Sequence, residues 1–154
     1  MIRPMELGDL EEVTAIARDL FSDAWSKEQF IYELNENPYS EFFCVEDKGE
    51  IYGFVGLNVL FERAEISIIA TKREKQGQGI GYRLLKKAIY EALKKECEIL
   101  SLEVRTSNKK ALKLYERNGF EVMRIRESYY SDNFEDAYEM AKAIGGLDAE
   151  DFSD

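Results

Sequence analysis

The chain has 154 residues, 45% of them hydrophobic, and its 21 basic and 31 acidic side chains leave a formal charge of −10. That length suits one domain with a core of its own. The absence of histidine excludes Ser-His and Cys-His catalysis and the usual zinc sites, so any general base is a carboxylate, a tyrosine, a lysine or water.

Ile2 to Pro4 reads as a short opening strand. Leu7, Leu10, Val13, Ile16, Ala17 and Leu20 then recur at helical spacing. Ser26-Lys27-Glu28-Gln29 has the form of a capping box, starting a second helix with Phe30, Ile31 and Leu34 on its apolar side, and Pro38 ends that region. Residues 41–47 and 51–61 read as strands joined by the hairpin turn Asp47-Lys48-Gly49-Glu50. After a polar turn at Glu62-Arg63, residues 65–70 read as a third antiparallel member.

The pattern then changes to alternating helices and strands. A polar loop over 72–78 precedes a long helix over 79–97, whose inner side carries Leu84, Leu85, Ala88 and Ile89. Residues 99–104 form a compact apolar strand. Ser107 or Asn108 caps a helix through Tyr115, closed by Asn118-Gly119. Residues 120–128 and 137–144 are the last strands. Residues 145–154 hold four acids and no base, so the domain is expected over 1–144 with an acidic, frayed tail over 145–154.

Charge is unevenly spread. Residues 72–117 carry 13 basic and 6 acidic side chains, net +7, against 8 and 25 elsewhere, net −17. The first segment suits an anion and the remainder a cation, although solvated helix faces would give the same counts. The acidic balance opposes direct nucleic-acid binding. Cys44 and Cys97 are too widely spaced for a metal-binding pair and read as buried or idle thiols. No apolar run reaches the roughly 18 residues of a membrane span, and Met1-Ile2-Arg3-Pro4 runs into polar sequence rather than a signal segment. A cytoplasmic protein without membrane attachment is expected.

Gln76-Gly77-Gln78-Gly79-Ile80-Gly81 follows a strand and opens a helix. In that context glycines let the backbone approach an oxyanion while the helix's free N–H groups and dipole face it. A plain flexible turn is the other reading. The Walker Gly-Lys-Ser/Thr ending is absent, and hairpin strands rather than a βαβ unit precede the loop, which excludes an ordinary nucleotide triphosphatase or dehydrogenase.

With the strand ending Ile69-Ala70-Thr71, this loop resembles the acetyl-CoA pyrophosphate loop of the GNAT N-acetyltransferases. The resemblance extends to Ala24-Trp25-Ser26, to Leu102-Glu103-Val104-Arg105 with Ser107-Asn108, and to Ala111-Leu112-Lys113-Leu114-Tyr115-Glu116-Arg117-Asn118-Gly119-Phe120. It closes with Arg126-Glu127-Ser128-Tyr129-Tyr130 and Glu135-Asp136-Ala137. Together these blocks resemble the ribosomal-protein-alanine N-acetyltransferases and related N-terminal acetyltransferase catalytic subunits. The chain departs from the family pattern at Thr71-Lys72-Arg73, where an aliphatic residue and Asp-Pro are usual.

The resemblance implies an α/β GNAT fold, with a mixed, mostly antiparallel sheet of about seven strands, about four helices and a splay between the fourth and fifth strands. It implies acetyl-CoA as cosubstrate and no metal. Ile69, Ala70 and Thr71 would pair with pantetheine, and Gln76, Gly77, Gln78, Gly79, Ile80, Gly81 and Tyr82 would receive the pyrophosphate. Asn108 would contact the cofactor, or act only as a helix cap. Glu103 would be the general base, its other reading being a partner for Arg105 or an edge carboxylate. Tyr115 would be the general acid, its other reading a core aromatic. Tyr129 and Tyr130 would shape the acceptor entrance, and Glu65 would hold an amine, serve as a second base, or stand as an exposed strand carboxylate. Trp25 and Phe21 either flank that groove or anchor the second helix.

The implied reaction is acetyl transfer to a protein's N-terminal α-amine, with a ribosomal protein bearing an alanine-like N-terminus as acceptor. A lysine or small-amine acetyltransferase and a non-catalytic acetyl-CoA-binding module remain alternatives, and the sequence does not set the oligomeric state.

Overall fold

The computed structural model describes residues 1–153. β1 (Ile2–Pro4) is followed by α1 (Leu10–Leu20) and α2 (Lys27–Asn35). The Ser26 hydroxyl accepts from the Gln29 amide at 3.1 Å and the Gln29 side chain accepts from the Ser26 amide at 2.7 Å, the reciprocal pair that the capping box requires. β2 (Ser40–Asp47) and β3 (Glu50–Leu60) are joined by Lys48 and Gly49, both at positive φ as a two-residue hairpin turn requires.

β4 (Arg63–Thr71) returns antiparallel along β3. It begins earlier than the sequence suggested, because Phe61 takes a left-handed φ of 59° and the chain reverses over Phe61 and Glu62. Within β4, Leu57 pairs with Ile66 and Gly56 with Ile68, so Ser67 is an extra, bulged residue. A Cβ at Gly56 would collide with the Phe42 ring and stand 2.8 Å from the Ser67 hydroxyl. The bulge reverses the facing of the strand: Ala64 and Ile66 pack into one core cluster, Ile68 and Ala70 against the other.

α3 (Ile80–Lys94) leads to β5 (Ile99–Arg105), α4 (Lys109–Arg117), β6 (Glu121–Arg126) and β7 (Ala137–Ala143). α3 stops before Cys97 because Glu96 turns left-handed, at φ 61°. The seven strands form one sheet in the order β1-β2-β3-β4-β5-β7-β6. α3 and α4 bury Leu84, Leu85, Ala88, Leu112 and Tyr115 on one face, while α1 and α2 bury Val13, Ile16, Ala17 and Phe30 on the other.

β4 and β5 are parallel and pair over three positions only, Arg63 with Ile99, Ala64 with Leu100 and Glu65 with Ser101. Both strands continue, to Thr71 and Arg105, without pairing to each other, so the sheet splays where the family resemblance implied. The β5-facing edge of β4 beyond the bulge therefore has no strand partner.

Within the segment expected as an acidic tail, part of the chain takes up local structure. Ala149–Phe152 forms a short 3-10 turn, the Asp148 side chain accepts from the Glu150 amide, and Phe152 packs against the core cluster beside α3. Charge counting does not reveal this contact, which a single aromatic side chain supplies. Asp154 lies outside the described residues.

Candidate active site

The splay between β4 and β5 opens into two cavities, of about 520 and 600 Å³. They share Leu20, Phe21, Ile69, Asn108 and Tyr115, so they meet at the end of β4 beside the α4 tyrosine.

The larger cavity is built largely from backbone. Ile69, Ala70 and Thr71 form one wall, and Gln76, Gly77, Gly79, Ile80, Gly81 and Tyr82 form its end. Gly77 and Gly79 take φ of 80° and 84°, in the left-handed region, and the space where their Cβ atoms would stand is open. Gly79 is the N-cap of α3 with no side-chain cap, and the first intrahelical bond runs from the Arg83 amide to its carbonyl. The amides of Ile80, Gly81 and Tyr82 thus have no intrahelical acceptor and stand at the positive end of the helix dipole. The Gln76 side chain donates to the Thr71 carbonyl at 3.2 Å, tying the loop to the strand. This cradle fits a pyrophosphate. Gln78 does not line the cavity, whereas Arg73, Lys110 and Arg117 do. Sequence reading missed these three cations as site residues, although Lys110 and Arg117 flank Leu114 at helical spacing on α4.

The second cavity is built from side chains. Glu65 and Glu103 enter it from β4 and β5, Trp25 from the loop before α2, and Tyr129 and Tyr130 from the loop between β6 and β7. Burial raises the Glu103 carboxyl above its ordinary range, against the opposing pull of the Arg126 guanidinium. Burial, reinforced by the Glu103 charge, also raises Glu65. Tyr115 is buried, and desolvation holds its phenol far above the ordinary value, so its proton stays in place across the physiological range. Tyr130 is pushed up to about 12, mainly by burial.

Three of the paired readings now resolve in part. Glu103 is not the partner of Arg105; its nearest cation is Arg126, at 3.2 Å. Asn108 caps α4, accepting from the Ala111 amide at 3.2 Å, and also lines both cavities. Trp25 lines the second cavity and packs its ring on Phe30, 5.2 Å away.

Arg105 has a different task. Its guanidinium bonds Asp132 at 2.9 Å and Asn133 at 3.1 Å, pairs with Glu135 and Asp23 at 3.3 Å, and lies 3.9 Å over the Tyr130 ring. Ser22 also donates to Asp132. The loops on the two sides of the cavity mouth are thereby joined through one side chain on β5.

Residues 10–120 match the acetyltransferase (GNAT) family, and the chain belongs to that family. A Bacillus subtilis (strain 168) protein with the provisional name ribosomal protein bS18-alanine N-acetyltransferase is 39% identical over 136 residues, covering 88% of this chain and 90% of the relative. The Escherichia coli (strain K12) ribosomal protein bS18-alanine N-acetyltransferase is 34% identical over 145 residues, 93% of this chain and 97% of the relative. The crystal structure of the ribosomal-protein-S18-alanine N-acetyltransferase from Escherichia coli matches with a TM-score of 0.85 at 33% identity, over 96% of each chain.

Proposed function

We propose that this chain is an acetyl-CoA-dependent N-acetyltransferase acting on the N-terminal α-amine of a protein, with a ribosomal protein bearing an alanine-like N-terminus as acceptor. The observation that carries the reading is the junction at Ile69, Asn108 and Tyr115, where a backbone cradle suited to a pyrophosphate opens into a cavity holding two carboxylates. The names of the relatives support the acceptor class.

Acetyl-CoA supplies the activated thioester carbonyl and the thiolate leaving group. The amides from Gly77 to Tyr82 hold its pyrophosphate, with Gln76 fixing the loop and Arg73, Lys110 and Arg117 adding positive charge. The free edge at Ile69, Ala70 and Thr71 takes the pantetheine amides, and Asn108 adds a side-chain contact. In the other cavity Glu65 holds the incoming ammonium, and Tyr129 and Tyr130 flank its path.

An α-amine of pKa about 7.7–8.0 arrives mostly protonated at pH 7. Glu103 removes the proton, directly or through water, and the nitrogen attacks the thioester carbon. Main-chain N–H groups near Ile69 stabilise the oxyanion as the C–N bond forms. The nitrogen, now positively charged, gives up its second proton to solvent as the C–S bond breaks; Tyr115 gives its phenolic proton to the departing sulfur and is reprotonated from solvent. A lysine side chain, of pKa about 10.4, has a neutral fraction roughly 300-fold smaller at pH 7, which favours the α-amine. Cys44 and Cys97 are buried with raised pKa values and line neither cavity, so no thiol intervenes as an acyl carrier.

Mass spectrometry after incubation with acetyl-CoA and two matched peptides tests the reading. One peptide has a free alanine N-terminus and no lysine; the other is N-blocked with an internal lysine. Acetylation of the first alone is expected. Modification of the second alone would move the activity to side-chain amines, and reaction of neither would favour a binding module or a small-molecule acceptor.

A further inference from the structure

Sheet register places Glu103 directly opposite Glu139 across β5 and β7, and Arg124 opposite Glu139 across β7 and β6. Like charges facing each other on neighbouring strands repel, so two carboxylates share this row only with cations to offset them. Arg126 spans both: Nη2 is 2.6 Å from Glu139 Oε1, and Nε is 3.2 Å from Glu103 Oε1. Arg124 Nε adds a bond to the same Glu139 oxygen at 2.8 Å.

The two contacts of Arg126 differ in kind. Its contact with Glu139 is an aligned hydrogen bond, whereas its Nε is buried without a hydrogen-bond partner despite its closeness to Glu103. Arg124 is therefore committed to Glu139, while Arg126 is shared unequally: it bonds Glu139 squarely and meets Glu103 as a close but poorly aligned ion pair. The other groups acting on Glu103 are Arg124 from β6, Glu65 from β4, and Tyr129 and Tyr130 from the β6–β7 loop.

We propose that Glu139 is a positioning residue that holds the aligned face of the Arg126 guanidinium on itself, so that Glu103 keeps a neighbouring positive charge without being fully paired and can accept the amine proton. Arg126 is the shared counter-charge that lets the two carboxylates stand side by side. The proposal rests on the assignment of Glu103 as base. Neither Arg126 nor Glu139 lines the cavity where the acceptor binds, so each acts through Glu103. The titration tendencies agree with this geometry. Glu139 is held below the ordinary carboxylate range, first by its bond from Arg124, while Glu103 stays above it.

Substituting the two residues should move the acidic limb of the pH profile of kcat/KM in opposite directions. Arg126→Gln removes the cation that favours ionised Glu103, so its pKa rises and the limb moves to higher pH, by about half to one unit. Glu139→Gln removes a repelling charge and releases Arg126 to bond Glu103, so the limb moves to lower pH by a similar amount. Arg126→Lys keeps the charge but cannot span both carboxylates, and its midpoint should fall between wild type and Arg126→Gln.

The same N-terminal peptide is used throughout, so its own amine titration is common to all profiles. A merely structural role would lower turnover at every pH and leave the midpoint in place. Glu103→Gln separates the two levels of the account, because it should erase the limb attributed to the base. If Glu103→Gln keeps that limb, the base assignment and this proposal both fall. If it erases the limb while Arg126→Gln, Arg126→Lys and Glu139→Gln keep the wild-type midpoint or shift together, the proposal alone is overturned.

Discussion

The two cavities that meet at Tyr115 are made of different material. The larger is shaped by main chain: two left-handed glycines, an uncapped helix start and an unpaired strand edge. The smaller is shaped by side chains from β4, β5 and two loops far apart in sequence, with Arg105 joining Asp23 to Asp132. A ligand with a constant phosphorylated handle suits a backbone site, which tolerates exchange of side chains. An acceptor whose sequence must be discriminated suits a site whose walls are side chains. Mutations should therefore separate into those that affect acetyl-CoA and those that affect the acceptor.

The largest effects should come at the junction. Glu103→Gln and Tyr115→Phe are each expected to lower kcat by about 10² to 10⁴-fold, with acetyl-CoA affinity within a few fold by calorimetry. Unchanged turnover in both would remove the acid–base assignment. Next comes Gly79→Ala, which forces a side chain into left-handed backbone at a cost of about 1–2 kcal/mol. It should weaken acetyl-CoA binding by about tenfold, with acceptor KM little altered. An undiminished affinity would show that the loop does not need that conformation to bind.

On the other side of the junction, Arg105→Ala should raise the peptide KM roughly three- to tenfold with a smaller effect on the acetyl-CoA Kd, because it frees two loops that line mainly the side-chain-built cavity. Equal losses for both ligands would erase the distinction between the cavities. The smallest effect should be ionic. Asp23, Glu65 and Glu103 outnumber Arg105 in the lining of the side-chain-built cavity, proposed to take the acceptor, so kcat/KM for a basic peptide should fall about two- to threefold between low and high salt. No fall would count against electrostatic steering.

The backbone-built half was also the legible half. The hairpin at Lys48-Gly49, the Ser26 cap and the glycine loop are local devices whose residues lie within a few positions of one another, so they can be read from sequence. The Ser67 bulge could not, since it depends on how Gly56 and Phe42 meet from neighbouring strands. Phe61 carries none of the Gly or Asn signals of a left-handed turn. Glu103, Tyr115, Tyr129 and Tyr130 were picked out by family resemblance, and the structure brings all four to one cavity. Their partners stayed hidden: Arg126 meets Glu103 from 23 residues away, and Arg105 meets Asp23 from 82 residues away. Charge counts find such residues but not their pairings. The same limit applies to the acidic C-terminal segment, where a charge count gives no sign that the partly buried Phe152 packs against the core cluster.

In the proposed reaction, amine and thioester meet directly across the splay, with no acyl-enzyme between them. Initial rates measured over a grid of acetyl-CoA and alanine-peptide concentrations test it. The account predicts double-reciprocal lines that intersect, as a ternary complex requires. Parallel lines, together with an acetyl group retained on the protein after incubation with acetyl-CoA alone, would contradict it.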